Sequence, residues 1–477
     1  MVFSSLVFLY IFLPFVLLGL SVCKKIPYQN TFLFIASLLF YSWGGVRYTI
    51  ILLISIVLNW LFGLGITKYK NCKKSFLVAG VLVNLSILFF YKYTNFFVDN
   101  INILAVCFHI NPITIEKIVL PIGISFYTFQ GISYIIDVYR ETVSAQRNFL
   151  KLGTYISLFP QLIAGPIVRY KELETQLTER TFSLDNFYEG LKRFILGLAR
   201  KVLIANQMAI VADAIFSRNP ETLGMLPAWI GIICYTLQIY YDFAGYSDMA
   251  IGLGRMFGFT FPENFNFPYI SKSIKEFWRR WHMTLSAWFK DYLYIPLGGN
   301  RCSKRRLYFN LYVVFFCTGF WHGASWNFIV WGLWHGTFLV IERFGFGNWL
   351  EKKNPILQHI YSLLVVMIGW VFFRAGNLTL ALEYLKSMFW IRQEITPNQF
   401  LLEYATMYNY AIGAIAIISA CPVISRLNDM FKDKAAISKS LGNIRYLAIL
   451  FFVLIVMILT TNYLVNGGYN PFIYFRF

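Results

Sequence analysis

Apolar runs of about 20 residues recur along the entire chain, and a helix of that length crosses the hydrocarbon core of a bilayer. Only 14% of the residues are charged, whereas soluble domains carry about 25%. The sequence therefore predicts an all-α, polytopic membrane protein. We place the main apolar runs at about 3–22, 48–66, 75–92, 115–136, 308–343, 356–373 and 443–464.

Further apolar stretches at 31–43, 152–168, 187–217, 227–257 and 407–424 raise the predicted number of membrane segments to about ten to twelve. Pro160 and Pro166 interrupt the stretch at 152–168, which favours a re-entrant element over a full crossing. The chain has no internal repeat, no low-complexity segment and no long linker. We therefore predict one membrane-embedded domain over residues 1–477.

The net charge of +19 comes from basic residues that lie mainly in short loops between the apolar runs. Lys24 and Lys25 follow the first run, and a second basic loop extends from Lys68 to Lys74. Because basic loops stay in the cytoplasm, both loops predict an N-terminus outside the cell. The same count predicts that residues 466–477 are outside as well. This distribution favours lipid headgroups, and not nucleic acid, as the partner of the positive charge.

Motifs for metal and cofactor chemistry are missing from the sequence. The seven cysteines show no CxxC pair and no regular spacing, so neither a disulfide framework nor a zinc site is predicted. There is no GxGxxG or P-loop phosphate motif, no GxSxG elbow and no HExxH pair. We expect no bound metal and no permanently bound cofactor.

Residues 271–336 form the segment around which the chain is organised. Its first half is basic and amphipathic, its second half is apolar, and together they hold three of the five histidines. An ionisable residue in hydrocarbon is costly and therefore usually functional, and imidazole exchanges a proton near neutral pH. His322, in the apolar half, is the candidate general base. A packing role between helices is the alternative.

Six long stretches carry a resemblance to a known family. They are FWRRWHMTLSAWFKDYLYIPLGGNR, TGFWHGASWNFIVWGLWHG, MVFSSLVFLYIFLPF, LPIGISFYTFQGISYIIDVYR, PQLIAGPIVRY and QIYYDFAGYSDMAIGLGRMFGF. The first two resemble the signature segments of the membrane-bound O-acyltransferases, in particular the bacterial branch that acetylates alginate. The resemblance implies helices around a central funnel or tunnel, His322 at the catalytic position and His282 as a second polar site residue.

The resemblance also implies a reaction, the transfer of an acetyl group from a cytoplasmic thioester such as acetyl-CoA to hydroxyls of an extracellular polysaccharide. It implies a bacterial cytoplasmic membrane, a hydrolase-like acetyltransferase partner outside it, and an acyl carrier protein as an alternative donor. Two other functions stay open. One is D-alanyl transfer from a carrier protein to teichoic acid, and the other, from a different class, is a transporter with histidines as proton relays. The missing repeat symmetry counts against the transporter.

Further candidate residues fall into a tunnel-lining group and a basic group that attracts a phosphorylated donor. The lining group is Trp278, Trp281, Trp321, Ser325, Trp326, Asn327, Asp242 and Gln161, and the basic group is Arg279, Arg280 and Lys290. On a continuous helix His335 would lie about 140° from His322, which favours packing. Asp248 and Arg255 are expected to form an ion pair, and Gly245 and Gly252 predict close helix packing.

Overall fold

The computed structural model describes residues 1–390, 406–423 and 439–473, and these residues form helices and turns without any strand. The predicted all-α fold is confirmed for this part of the chain. The helices are α1 (Leu13–Val22), α2 (Ile26–Ser42), α3 (Val46–Lys68), α4 (Lys73–Cys107), α5 (Ile124–Tyr139), α6 (Phe149–Ser157), α7 (Phe159–Leu162), α8 (Tyr170–Leu173), α9 (Leu184–Ala199), α10 (Asn206–Phe216), α11 (Met225–Met256), α12 (Ile274–Arg280), α13 (Met283–Phe289), α14 (Lys304–His322), α15 (Trp326–Ile341), α16 (Gly347–Leu350), α17 (Pro355–Arg374), α18 (Leu378–Phe389), α19 (Met407–Ser419) and α20 (Lys439–Val465). π-Helical turns precede α1, join α9 to α10, follow α13 and join α15 to α16.

Among the described residues, five helical stretches are long and apolar enough to cross a membrane. They are Val46–Lys68, Lys70–Cys107, Leu184–Phe216, Pro355–Arg374 and Tyr446–Val465. The stretches in α4 and α20 have only 17% of their most apolar window buried, so these two helices lie at the periphery of the bundle. The run expected at 308–343 is divided into α14 and α15, because Gly323 and Ser325 have extended backbone between them.

Two helix boundaries differ from the prediction, one because of asparagine side chains and the other because of the backbone conformation of a glycine. The helix expected to end near residue 92 continues to Cys107, since Asn95 and Asn102 use their side chains to bind the backbone of the segment that follows α4. The run expected from residue 115 becomes helical only at Ile124. Before it, Gly123 has a φ of 77°, a left-handed conformation that glycine adopts without cost.

Helix α11 packs backbone to backbone against α9 in the interior of the bundle. A Cβ atom on Gly245 would lie 2.7 Å from the carbonyl oxygen of Gly197, and one on Gly252 would lie 2.6 Å from that of Gly190. Contacts this short leave no room for a side chain, so small residues are required there. The close packing predicted from Gly245 and Gly252 is confirmed.

One end of the bundle gathers basic side chains and their partners, and we call it the basic end. Lys73, which begins α4, pairs with Glu141 at 3.1 Å. Arg140 donates to the backbone carbonyl of Asp291 at 3.2 Å, and Arg169 pairs with the Asp291 carboxylate at 2.5 Å. These contacts place the start of α4, the end of α5 and the π-helical turn after α13 at the same end of the bundle.

Helices α14 and α15 form a hairpin that extends away from the basic end and carries the second signature segment, residues 318–336. Arg343, just after α15, donates to Asn300, just before α14, at 2.7 Å. A Cβ atom on Gly319 would lie 2.2 Å from the backbone oxygen of Phe328, so the two helices touch directly. The 19 residues of α14 rise about 28 Å. His322, its last residue, therefore lies deep within the bundle.

Candidate active site

The imidazole of His322 is surrounded by aromatic rings and is 6% exposed. Its ring centroid lies 4.9 Å from Trp321, 5.0 Å from Trp331 and 5.4 Å from Phe373. Within the described part of the chain, no hydrogen bond to its ring nitrogens is formed. Such a ring has both nitrogens available for a proton or a ligand, which a general base requires.

Two spaces of very different size meet at His322. The larger is a cavity of about 180 Å³ that His322 lines together with Lys92, Trp321, Ile163 and the segment 120–126. The smaller is a pocket of about 10 Å³, room for a single water-sized group. Its walls are His322, Ile239, Asp242, Phe243, Trp281, Trp331, Trp370, Phe373 and Ile473. The imidazole therefore separates a cavity from a small, mainly aromatic pocket.

His282 lies at the junction of α12 and α13, fully buried and in the left-handed region at a φ of 45°. Non-glycine residues rarely adopt this conformation, which clusters at functional sites. Its Nδ1 is 3.1 Å from Asn264 Oδ1, an oxygen that also accepts from the Thr284 hydroxyl at 2.9 Å. We therefore assign the proton to Nδ1. Nε2 is left as an unpaired acceptor, and the ring centroid lies 6.3 Å from that of His322.

Lys92 is a site residue that the sequence reasoning missed. Its ammonium is buried, and it donates to the Ser125 hydroxyl at 3.2 Å, to the His322 carbonyl at 3.3 Å and to the Trp321 carbonyl. A signal for it exists in the sequence. Gly80, Asn84, Leu88 and Lys92 recur at intervals of four and are buried on α4, so Lys92 belongs to the inward face of an otherwise lipid-facing helix.

Three of the predicted lining residues lie at the spaces that surround His322. Trp321 lines the larger cavity, and Trp281 and Asp242 line the small pocket. Ser325 lines a neighbouring cavity of about 390 Å³, which also touches Lys92.

The other predicted lining residues face elsewhere. Trp278 packs against His335. Trp326 is 55% exposed and donates to Asn100. Asn327 donates to the carbonyl of Ala375 at 2.7 Å, and Gln161 donates to that of Tyr155 at 2.6 Å.

Asp242 links the small pocket to the end of the chain. It pairs with Lys201 at 2.8 Å and accepts the backbone N–H of Ile473 at 3.0 Å. Asn470 binds both Ser4 and Asn206. The segment 466–473 therefore folds back into the bundle, and its Ile473 forms part of the pocket wall, a placement that no sequence pattern predicts. Residues 474–477 lie outside the described residues.

One expectation about neighbouring residues is wrong, and a second rests on an argument that fails. Asp248 does not pair with Arg255; it binds Arg193 at 2.8 Å and also Arg200, both on the facing helical segment. The helical-wheel argument that separated His322 from His335 fails because the helix breaks at Gly323. His335 is nevertheless apart from the site, in a cage of aromatic rings where neither of its nitrogens has a partner among the described residues.

The predicted donor-attracting residues lie towards the basic end. Arg279 lines a cavity of about 590 Å³ together with Lys272, Lys275, Arg343 and Glu342. Burial raises the pKa of the Glu342 carboxyl, while the N–H groups of Ile274 and Lys275 that donate to it oppose the shift.

The remaining two basic candidates are not part of that cavity's wall. Arg280 pairs with Glu276 at 2.9 Å, and Lys290 is exposed. Among the described residues, no group of three or more His, Cys, Asp or Glu side chains is arranged to hold a metal ion.

Comparison with known proteins assigns the chain to a family. The model of the membrane-bound O-acyltransferase family matches residues 142–382, a region that contains both His282 and His322. The probable alginate O-acetylase AlgI of Azotobacter vinelandii is 41% identical over 100% of both chains. The peptidoglycan O-acetyltransferase of Helicobacter pylori is 39% identical over 81% of this chain and 80% of its own.

A more distant relative is the teichoic acid D-alanyltransferase of Bacillus subtilis, which is 30% identical over 52% of this chain and 65% of its own. The chain belongs to the membrane-bound O-acyltransferase family. It is therefore a multi-pass membrane protein and an acyltransferase.

Proposed function

We propose that this protein transfers an acetyl group from a thioester donor at the basic end towards the opposite side of the membrane, for O-acetylation of an extracellular polysaccharide. The observation that carries the proposal is the position of His322, whose unpartnered imidazole stands between a cavity of about 180 Å³ and a pocket of about 10 Å³. The cavity has room for a hydroxyl-bearing group, and the pocket suits the methyl group of an acetyl.

In this mechanism His322 is the general base and His282 orients one of the reactants. The imidazole of His322 takes the proton from the acceptor hydroxyl as the oxygen attacks the thioester carbonyl. A C–O bond forms, the tetrahedral intermediate collapses with cleavage of the C–S bond, and the imidazolium returns the proton to the departing thiolate. The surrounding rings, Trp321 among them, keep water from hydrolysing the thioester.

Charge favours acetyl over D-alanyl as the acyl group. A D-alanyl group carries an ammonium, which needs a compensating carboxylate when it is buried. Asp242 is the acidic wall residue of the small pocket, and it already pairs with Lys201 at 2.8 Å. We therefore keep D-alanyl transfer from a carrier protein as the second candidate.

The donor is proposed to be acetyl-CoA or another acyl thioester, drawn to the basic end by Arg279, Arg280 and Lys290. Arg279 lines the cavity of about 590 Å³ there, which supports this approach. No metal or permanently bound cofactor enters the scheme. The further partners are membrane lipids, a hydrolase-like acetyltransferase on the opposite side and the acceptor polysaccharide.

The arrangement in the membrane follows from the same proposal. Residues 1–477 form one domain around the segment 271–336, with about ten to twelve membrane segments surrounding a central funnel. The basic end faces the cytoplasm of a bacterial cell and the N-terminus faces outward. The contacts of Lys73, Arg140 and Arg169 at one level support this orientation.

Inside-out membrane vesicles from cells that overproduce the protein test the proposal, because they expose the basic end to added donor. Radiolabelled acetyl-CoA and a D-alanyl carrier protein are supplied in separate reactions, and label in luminal esters is measured. We expect protein-dependent esters from acetyl-CoA. Esters from the D-alanyl carrier alone would establish the second candidate, and no protein-dependent ester from either donor would contradict the proposed transfer.

A further inference from the structure

The amino group of Lys92 has no acidic partner among the described residues. The side chain is 9% exposed, and its hydrogen bonds go to one hydroxyl and two backbone carbonyls. Among the described residues no carboxylate lies within ion-pair distance of it. Burying an isolated ammonium is expensive, so a residue of this kind calls for an explanation.

Capping explains the position of Lys92 but does not explain its charge. The last four carbonyls of a helix have no partner within the helix. In α14 the carbonyl of Gly319 accepts from Gly323 N–H at 3.3 Å, and that of Phe320 accepts from the Tyr93 hydroxyl at 2.9 Å. Lys92 donates to the remaining two carbonyls, those of Trp321 and His322. The neighbouring Tyr93 performs the same task with a neutral hydroxyl, so capping alone does not require an ammonium.

The amino group of Lys92 and the imidazole of His322 line the same cavity. Lys92 lines the cavity of about 180 Å³ with His322, and it also lines the adjacent cavity of about 390 Å³. Neither cavity has an acidic side chain among its described wall residues. The second cation there, Arg374, is paired with Asp213 at 2.5 Å. Lys92 is therefore the uncompensated positive charge next to the candidate base.

We propose that Lys92 is a catalytic residue whose ammonium stabilises the oxyanion formed on the thioester carbonyl. The inference rests on the proposed acyl transfer. When the acceptor oxygen attacks, the carbonyl electron pair moves to oxygen, and when the C–S bond breaks, that pair returns to restore the carbonyl. The ammonium keeps its proton throughout and acts as a fixed charge. Preorganised charge at a developing oxyanion stabilises the transition state more than the ground state.

Three variants separate charge from capping. Lys92→Gln keeps N–H donors for the two carbonyls but removes the charge, and Lys92→Arg keeps both. Tyr93→Phe is the matched control, because it removes one neutral cap from the adjacent residue. Acetyl transfer from acetyl-CoA is measured in inside-out vesicles at equal protein content, with kcat and the KM for acetyl-CoA obtained separately.

We expect Lys92→Gln to lower kcat by about 100- to 1,000-fold, the loss typical of an oxyanion donor. KM should change little, because an interaction made only in the transition state affects kcat. Lys92→Arg should retain most of the activity, and Tyr93→Phe should remain close to the wild type. If Lys92→Gln fails to insert, Lys92→Met replaces it, with Tyr93→Phe showing what the loss of a cap alone costs.

Wild-type kcat in Lys92→Gln would overturn the inference, since a neutral cap would then suffice. Equal losses in Lys92→Gln and Lys92→Arg, at equal amounts of folded protein, would also overturn it, since shape and not charge would then be required. Both outcomes presuppose an active wild type. A wild type that transfers no acyl group would contradict the proposed function instead.

Discussion

At the scale of single residues, we predict that Phe373 limits the size of the acyl group in the proposed reaction. Its ring lies 5.4 Å from that of His322 and lines the pocket of about 10 Å³. One extra methylene in a pocket that has no room for it costs about 10- to 200-fold in kcat/KM. We therefore expect the wild type to prefer acetyl-CoA over propionyl-CoA, and Phe373→Ala to lose that preference.

Phe372→Ala is the matched control for this prediction. Phe372 is also buried, but its ring packs towards Trp334 and not towards His322. Both substitutions should cost about 3–5 kcal/mol of stability, and the ratio of the two donor rates cancels that shared loss. An unchanged ratio in Phe373→Ala, or a wild type that uses both donors equally, would contradict the assignment of the acyl pocket.

Within the segment 271–336, sequence reasoning identified His282, His322, Trp281 and Trp321 but missed Trp331, which lines the small pocket. It also missed the site residues that come from elsewhere in the chain. His282 and His322 stand out as polar groups in aromatic surroundings, and the structure brings their rings within 6.3 Å. Lys92 reaches the site from α4 and Ile473 from the end of the chain. Such tertiary contacts leave only weak periodic traces in a single sequence. For the same reason the partners of Asp248 were predicted wrongly.

At the scale of elements, the orientation of the protein in the membrane can be measured from the two ends of α4. Its 35 residues extend about 52 Å, which exceeds the thickness of the hydrocarbon core of about 30 Å. Cys72 precedes it at the basic end, Cys107 is its last residue, and both are exposed. We predict that a membrane-impermeant maleimide modifies Cys107 but not Cys72 in intact cells.

The labelling uses two variants that each keep one of these cysteines and replace the other six by serine. Permeabilised cells provide the control, because both cysteines should react once the membrane is open. Modification of Cys72 and protection of Cys107 in intact cells would reverse the orientation proposed here. It would also contradict the assignment of the basic end to the cytoplasm.

Hydropathy predicted the positions of the helices better than their boundaries, and the reasons are physical. Hydropathy located the apolar runs but could not show that α14 and α15 are separate, because the break at Gly323 depends on backbone geometry within an apolar sequence. It also ended α4 too early, because polar residues such as Asn95 interrupt the apolar run after residue 92. In the structure that side chain binds the backbone of the next segment.

At the scale of the whole molecule, two unrelated parts of the chain converge on the histidine pair. Helix α4 fixes the end of α14, and the segment 466–473 closes the small pocket through Asp242. In the proposed function, His322 is the point at which a donor from the basic end and an acceptor from the opposite side meet. Acyl transfer is therefore expected to depend on the imidazole of His322.

The most direct test measures ester-linked acyl groups on the surface polymers of cells that lack this protein. The cells are complemented with the wild type, with His322→Phe or with His335→Phe. The second substitution is the matched control, because His335 is a buried histidine of the same hairpin and its nitrogens have no partner in the part of the chain that the structure describes. At equal expression, we predict that the wild type and His335→Phe restore acetyl esters and that His322→Phe restores none. Full restoration by His322→Phe would contradict the account.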